Sequence, residues 1–132
     1  MKNQVDRTKY AREWMRAWRK RNPDQSRANS RKNHQRPQTK FSVLKSEAKR
    51  RELEVSITLD QYLKIISNPC FYCGGPLPNG GGGLDRINSS IGYVLGNVRP
   101  CCTQCNVAKA SFTELQFKEW ALRLVNHWAG KI

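Results

Sequence analysis

Two short cysteine pairs govern what this chain can become. Cys70 and Cys73 form one Cys-x-x-Cys, in "NPCFYCGG", and Cys102 and Cys105 form another, in "PCCTQCN", with 28 residues between them. Each pair on a tight turn can present two thiolates to one ion, and four thiolates complete a tetrahedron around zinc. A closed set of this kind keeps no open coordination position, so the zinc is expected to be structural and to supply folding free energy to a small domain. The rival is a redox dithiol, which usually comes as a single Cys-x-x-Cys in a βαβ setting. Five cysteines, an odd number confined to residues 70–105, favour a metal site over a disulfide frame. Cys101 is the spare thiol, expected to be packed or exposed.

Charge divides the chain. The net charge of +14 is carried almost entirely by residues 1–51, which hold 17 Lys/Arg against 4 Asp/Glu; the remainder holds 7 against 6. The expected organisation is a basic helical or extended arm over residues 1–52 and a nearly neutral globular domain over residues 53–132. A field of this sign and size points to a polyanionic partner, nucleic acid first and an anionic membrane surface second. No apolar run of about 18 residues is present, so no membrane span is expected. The start "MKNQVDRTKY" has no apolar stretch behind its charges, so the expected location is the cytoplasm.

Residues 8–21 read as a helix with Tyr10, Trp14 and Trp18 on one ridge, more consistent with a packing seam than with base stacking. Residues 25–38 are polar and without period, and an extended or disordered segment is expected there. Residues 39–52 read as a second basic helix with Phe41, Leu44 and Ala48 on one side. "ITLDQYLKIIS" is a short helix with a Thr58/Gln61 capping box and Tyr62, Ile65 and Ile66 facing a core. "GLDRI" and "YVLGNVRP" suit two strands of a hairpin, and "CTQCNVAKA" starts a helix at the second knuckle. The last helix carries a Thr113/Gln116 capping box, a Phe112–Phe117 staple and a stripe of Leu115, Trp120, Leu124 and Val125. "GGPLPNGGGG" lacks the Lys-Ser/Thr ending of a phosphate-binding loop and reads as a loose connection.

With "LDR" on the first strand, "GNV" on the second and "CTQCNVAK" entering the helix, residues 55–112 resemble the zinc-containing HNH, or ββα-metal, nucleases. The likeness is greatest to small phage-type and homing-type members, and extends to junction-resolving endonucleases and a rare-cutting restriction enzyme. It implies an α+β fold, a treble-clef-like ββα-metal core with one structural zinc behind a basic helical arm. The implied activity is metal-dependent hydrolysis of DNA phosphodiester bonds, in phage genome processing or homing, inside a bacterial or phage-infected cell.

The resemblance also implies roles. Asp85 and Asn106 would hold a catalytic divalent ion, Mg2+ or Mn2+, which takes oxygen ligands. Asn97 would brace the loop, and Lys109, one turn beyond Asn106, could touch a phosphate. Where many members place His as general base, this chain has Arg86, which stays protonated but can clamp a phosphate and offset transition-state charge. His34, Tyr93 or a hydroxide on the ion are the remaining candidates for the base, and His127 reads as a surface residue. Arg12, Arg16, Arg19, Lys20, Arg31, Lys32, Arg36, Lys49, Arg50 and Arg51 would bind double-stranded DNA through its phosphates. Cleavage of both strands would call for a homodimer. The alternative is a non-catalytic zinc module that binds DNA or RNA, which needs neither Asp85 nor Asn106.

Overall fold

Two prolines set the first helix boundaries. Pro23 and Pro37 each stand at the first position of a helix, where a missing N–H costs nothing and the fixed φ is already helical. The computed structural model describes residues 4–78 and 83–131, with side chains from residue 8 onward. Its elements run α1 (Gln4–Arg21), α2 (Pro23–His34), α3 (Pro37–Arg50), α4 (Leu59–Ile66), β1 (Gly83–Arg86), β2 (Val98–Cys101), α5 (Thr103–Lys109) and α6 (Glu114–Ala129). They divide into two units, Met1–Arg36 and Pro37–Ile132.

The first unit holds α1 and α2. Asn22 joins them, its side-chain amide donating to the Trp18 carbonyl at 3.0 Å. The expected extended segment over residues 25–38 is helical through His34 instead. Asp24 in the first turn and Arg31, Lys32 and His34 in the last complement the helix dipole. Gln25 bonds to Asn29 one turn on. No residue of α2 is buried, which is why an apolar period could not reveal it. On α1, Tyr10 and Trp14 of the aromatic ridge are exposed and Trp18 is half-buried.

The second unit begins with α3. Phe41 and Ala48 are buried, Leu44 packs on the core, and the Phe41 ring lies 5.0 Å from that of Tyr62. Charge assigns this helix to the arm, but its apolar face places it in the globular unit, so the compact boundary falls at residue 36 and not at 52. Phe41, Ile57, Tyr62 and Leu84 form the core cluster, with Val55, Leu63, Ile65, Ile66, Tyr93 and Val98 against it. Both expected capping boxes are present, Thr58/Gln61 on α4 and Thr113/Gln116 on α6. On α6 the buried residue is Phe117, which stacks on Trp120, while Leu115, Leu124 and Val125 of the expected stripe are exposed. Phe112 is also exposed, and Phe117 pairs with Tyr72 instead.

β1 and β2 pair antiparallel, with Asp85 opposite Arg99 and Arg86 opposite Val98. The second strand is shorter than its pattern, because Tyr93 leaves the hairpin for a parallel bridge to Val55. The Tyr93 N–H donates to the Glu54 carbonyl at 2.8 Å, and the Ser56 N–H donates to the Tyr93 carbonyl at 3.1 Å. Gly92 permits this approach: a Cβ there would lie 2.3 Å from the Glu54 carbonyl oxygen. Gly92→Ala must therefore push two backbone segments apart. Thermal denaturation should show a loss of about 1–3 kcal/mol, against little change for Gly130→Ala, where a Cβ meets nothing within 4 Å.

Candidate metal centre and cleft

The four paired cysteines converge. Their sulfurs all lie within 4.8 Å of one another, and Cys73 Sγ is 3.9 Å from Cys102 Sγ. Sulfurs about 2.3 Å from a central ion stand about 3.8 Å apart in a tetrahedron, so the spacing and the donor set both fit a four-thiolate metal site. The first knuckle is a tight turn: the Gly74 N–H donates to the Cys70 carbonyl at 2.9 Å, and Gly74 takes a left-handed φ of 68°. The Phe71 N–H donates to the Pro100 carbonyl at 2.8 Å, which stitches this knuckle to β2. At the second knuckle Cys102 caps α5, and its sulfur accepts from the Cys105 N–H at 3.4 Å. Cys101 is fully buried, and its Sγ donates to the Cys102 carbonyl at 3.3 Å. Burial, reinforced by Cys70 and Asp85, pushes that thiol up to about 12, so it stays protonated.

Asp85 projects from β1 into the interior and is 3% exposed. Its Oδ1 accepts from Lys109 Nζ at 3.1 Å, and its Oδ2 accepts from the Tyr72 hydroxyl. Lys109, expected to reach a phosphate, is instead 1% exposed, donating also to the Arg86 carbonyl at 3.3 Å. A buried ammonium and carboxylate must satisfy each other. Tyr72 went unnoticed in the sequence because it sits inside "CFYC", where only the cysteines carry a pattern. Burial, then its bond to Asp85, holds the phenol well above its usual value, so it remains a donor. Phe117 of α6 backs the ring edge-on at 5.3 Å.

Arg86 is also engaged. Its Nη1 donates to the Ser89 carbonyl at 2.6 Å and the Ile91 carbonyl at 2.9 Å, and its guanidinium lies over the Tyr93 ring. Asn97 is buried and ties the same loop together: its Oδ1 accepts from the Asn88 N–H at 2.9 Å, and its Nδ2 donates to the carbonyls of Asn88 and Gly92. Asn106, on α5, lies against Gly83 of β1, where a Cβ would meet its Nδ2 at 3.3 Å. Asp85, Arg86, Tyr93 and Asn106 line one cleft of about 330 Å3, with Arg51, Ser89 and Ser111 among the other walls. His34 is exposed on α2 in the first unit, and His127 is exposed on α6. Of the proposed DNA-binding cations, Arg12, Arg16, Arg19, Lys20, Arg31, Lys32 and Arg36 are exposed in the first unit, and Lys49, Arg50 and Arg51 are exposed in the second.

The comparisons with known proteins bear on the fold. No family model matches the chain. An uncharacterised protein of Acanthamoeba polyphaga mimivirus is 30% identical over 89 residues, a match that covers 67% of this chain and 17% of the viral protein. The chain thus spans about a sixth of that relative's length. Among solved structures, the rare-cutting HNH restriction endonuclease PacI, studied for its perturbation of DNA, aligns with a TM-score of 0.54 at 21% identity, covering 72% of this chain and 80% of PacI. The mixed fold of helices and a small two-stranded sheet is therefore similar to that of an HNH endonuclease. No helix among the described residues is long and apolar enough to cross a membrane.

Two outcomes test the centre. Stripping the metal with a strong chelator, or Cys105→Ser, should abolish the cooperative thermal transition seen by circular dichroism, because binding and folding free energy are shared in such sites. Tyr72→Phe should retain the metal, by elemental analysis, and the ring packing. It should lose about 1.5–3 kcal/mol of stability through the missing bond to a charged acceptor.

Proposed function

We propose that this chain is an HNH-type endonuclease that hydrolyses DNA phosphodiester bonds, with structural zinc in the four-cysteine site and Mg2+ or Mn2+ at Asp85 and Asn106. The observation that carries the reading is the meeting of these two side chains, from β1 and α5, on one polar cleft beside the cysteine tetrad. The order β1, β2, α5, with the tetrad pinning both flanks of the hairpin, supports the ββα-metal assignment. Similarity of fold to an HNH endonuclease supports it further.

The donor chemistry fits a hard cation. Two protein oxygens, with the rest of the shell left to water and phosphate, suit magnesium. A carboxylate has about four lone-pair sites, and the bonds from Lys109 and Tyr72 use two of them. When bound, such an ion polarises a phosphate and stabilises the departing oxygen. The chain's own residues prepare the place. Tyr72 and Lys109 fix the Asp85 carboxylate from two sides, and Asn106 is set one residue beyond the Cys105 thiolate. Asn97 and Arg86 hold the loop that forms the far wall. Of the two side chains considered as base, Tyr93 lines the cleft and His34 belongs to the other unit. The basic helices α1, α2 and α3 supply salt-sensitive affinity for the backbone of double-stranded DNA, and cutting both strands would use two copies.

One observation favours a second reading. Both Asp85 oxygens already have partners within the chain, as a purely structural carboxylate would. A non-catalytic zinc module binding DNA or RNA would then remain. Supercoiled plasmid incubated with the protein and Mg2+ or Mn2+ decides between them: wild type should nick or linearise it, and Asp85→Ala or Asn106→Ala should lower the rate at least about a hundredfold. Intact supercoils with wild type, or undiminished cutting by Asp85→Ala, favour the binding module.

A further inference from the structure

Arg51 and Arg86 line the cleft and Lys109 contacts its Asp85, and the structure separates the three cations by what each is already doing. Lys109 is sealed from solvent and committed to Asp85 and the Arg86 carbonyl. Arg86 spends Nη1 on two loop carbonyls and its face on Tyr93. Arg51 is exposed, lines the cleft, and among the described residues no hydrogen bond or ion pair engages its guanidinium. Its backbone, by contrast, is held. α3 ends in a capped turn: the Arg51 N–H donates to the Glu47 and Ala48 carbonyls, the Glu52 N–H to Lys49, and the Leu53 N–H to Ala48 at 2.8 Å. Glu52 takes the left-handed φ of 56° that such an ending requires.

We infer that Arg51 is the side chain that grips the phosphate of the substrate in the cleft. A guanidinium offers a planar fork of donors that matches two phosphate oxygens, and an unpaired one on a fixed backbone loses little freedom in doing so. Asp85 and Asn106 line the same cleft, so a phosphodiester gripped by Arg51 would lie in the space that also holds the two proposed ligands of the divalent ion. Arg51 is also the last cation of the basic segment. Lys45, Lys49 and Arg50 precede it on α3, and Lys45 and Lys49 line an open groove of their own. Glu52 and Glu54 share that groove, and Arg50 pairs with Glu47, which leaves Arg51 as the cation at this end of α3 that faces the cleft without an acidic partner among the described residues. Arg86 and Lys109 are positioning residues in this arrangement, holding the loop and the carboxylate.

This inference rests on the endonuclease reading, and two measurements on the metal-loaded 132-residue chain keep the two apart. The first is affinity for a short duplex DNA across a range of salt, with magnesium withheld so that nothing is cut. Arg51→Ala should lower the slope of log affinity against log salt by about 0.9, the signature of one lost phosphate contact. Lys64→Ala, which removes an exposed charge on α4, should leave the slope unchanged. The second is single-turnover cleavage at saturating DNA with Mg2+. Arg51→Ala should slow it about a hundredfold, and Arg51→Lys should keep the salt slope while recovering only part of the rate. An unchanged slope in Arg51→Ala overturns the inference. So does a cleavage rate within about twofold of wild type, because the grip would then lie away from the reacting phosphate. If wild type cuts nothing, the endonuclease reading falls, while the salt slope still decides whether Arg51 holds a phosphate.

Discussion

The convergence of four sulfurs is the constraint on which the rest of the globular unit depends. The hairpin between the cysteine pairs is two strands of four residues, too short to persist alone in water. The tetrad holds it from both flanks. One pair is stitched to β2 through Phe71, and the other caps the helix that leaves the sheet. The core residues Phe41 and Tyr62 cluster with Leu84 of β1. Each knuckle also delivers one side chain to the cleft region: Tyr72 from inside the first reaches Asp85, and Asn106 follows the last thiolate of the second. A metal there would fix the fold and the placement of these two groups in a single event.

Asp85 and Lys109 show how a small core can keep charge inside. Both are nearly inaccessible, and the pair is completed by a phenol on one carboxylate oxygen and a backbone carbonyl on the ammonium. The partners come from three elements: Tyr72 from the first knuckle, Asp85 and the Arg86 carbonyl from β1, and Lys109 from α5. The contact is thus long-range in sequence and local in space, and it ties the cleft to α6 through the Tyr72–Phe117 packing. On the far side Arg99 joins the same framework, bonding Glu114 at 2.8 Å and lying over Phe71 at 4.0 Å.

Much of this could be read from the residues alone, wherever a feature has a fixed spacing. The cysteine pairs, both capping boxes, the hairpin that begins at "GLDR" and the helix at "CTQCNVAK" all carry local signatures. What escaped lacks one. α2 has no apolar period, since it buries nothing. The exposure of Leu115 and Val125 depends on which face of α6 meets Tyr72, a tertiary matter. The commitments of Lys109, Arg86 and Tyr72 are likewise three-dimensional: a Lys at the end of a helix looks the same in sequence whether it faces solvent or a carboxylate 24 positions away. Charge counting misplaced α3 for a related reason. It weighs the polar face of a helix and ignores the three apolar residues on the other.

That helix has a practical consequence for dissecting the molecule. A fragment cut where the charge changes, at residue 53, would strip Phe41, Leu44 and Ala48 from the globular unit and leave Tyr62 and Ile57 facing water. The compact unit starts at Pro37, and it keeps part of the cationic surface. A share of the positive charge and the integrity of the apolar interior are therefore written into the same fourteen residues, so neither can be removed by truncation without disturbing the other.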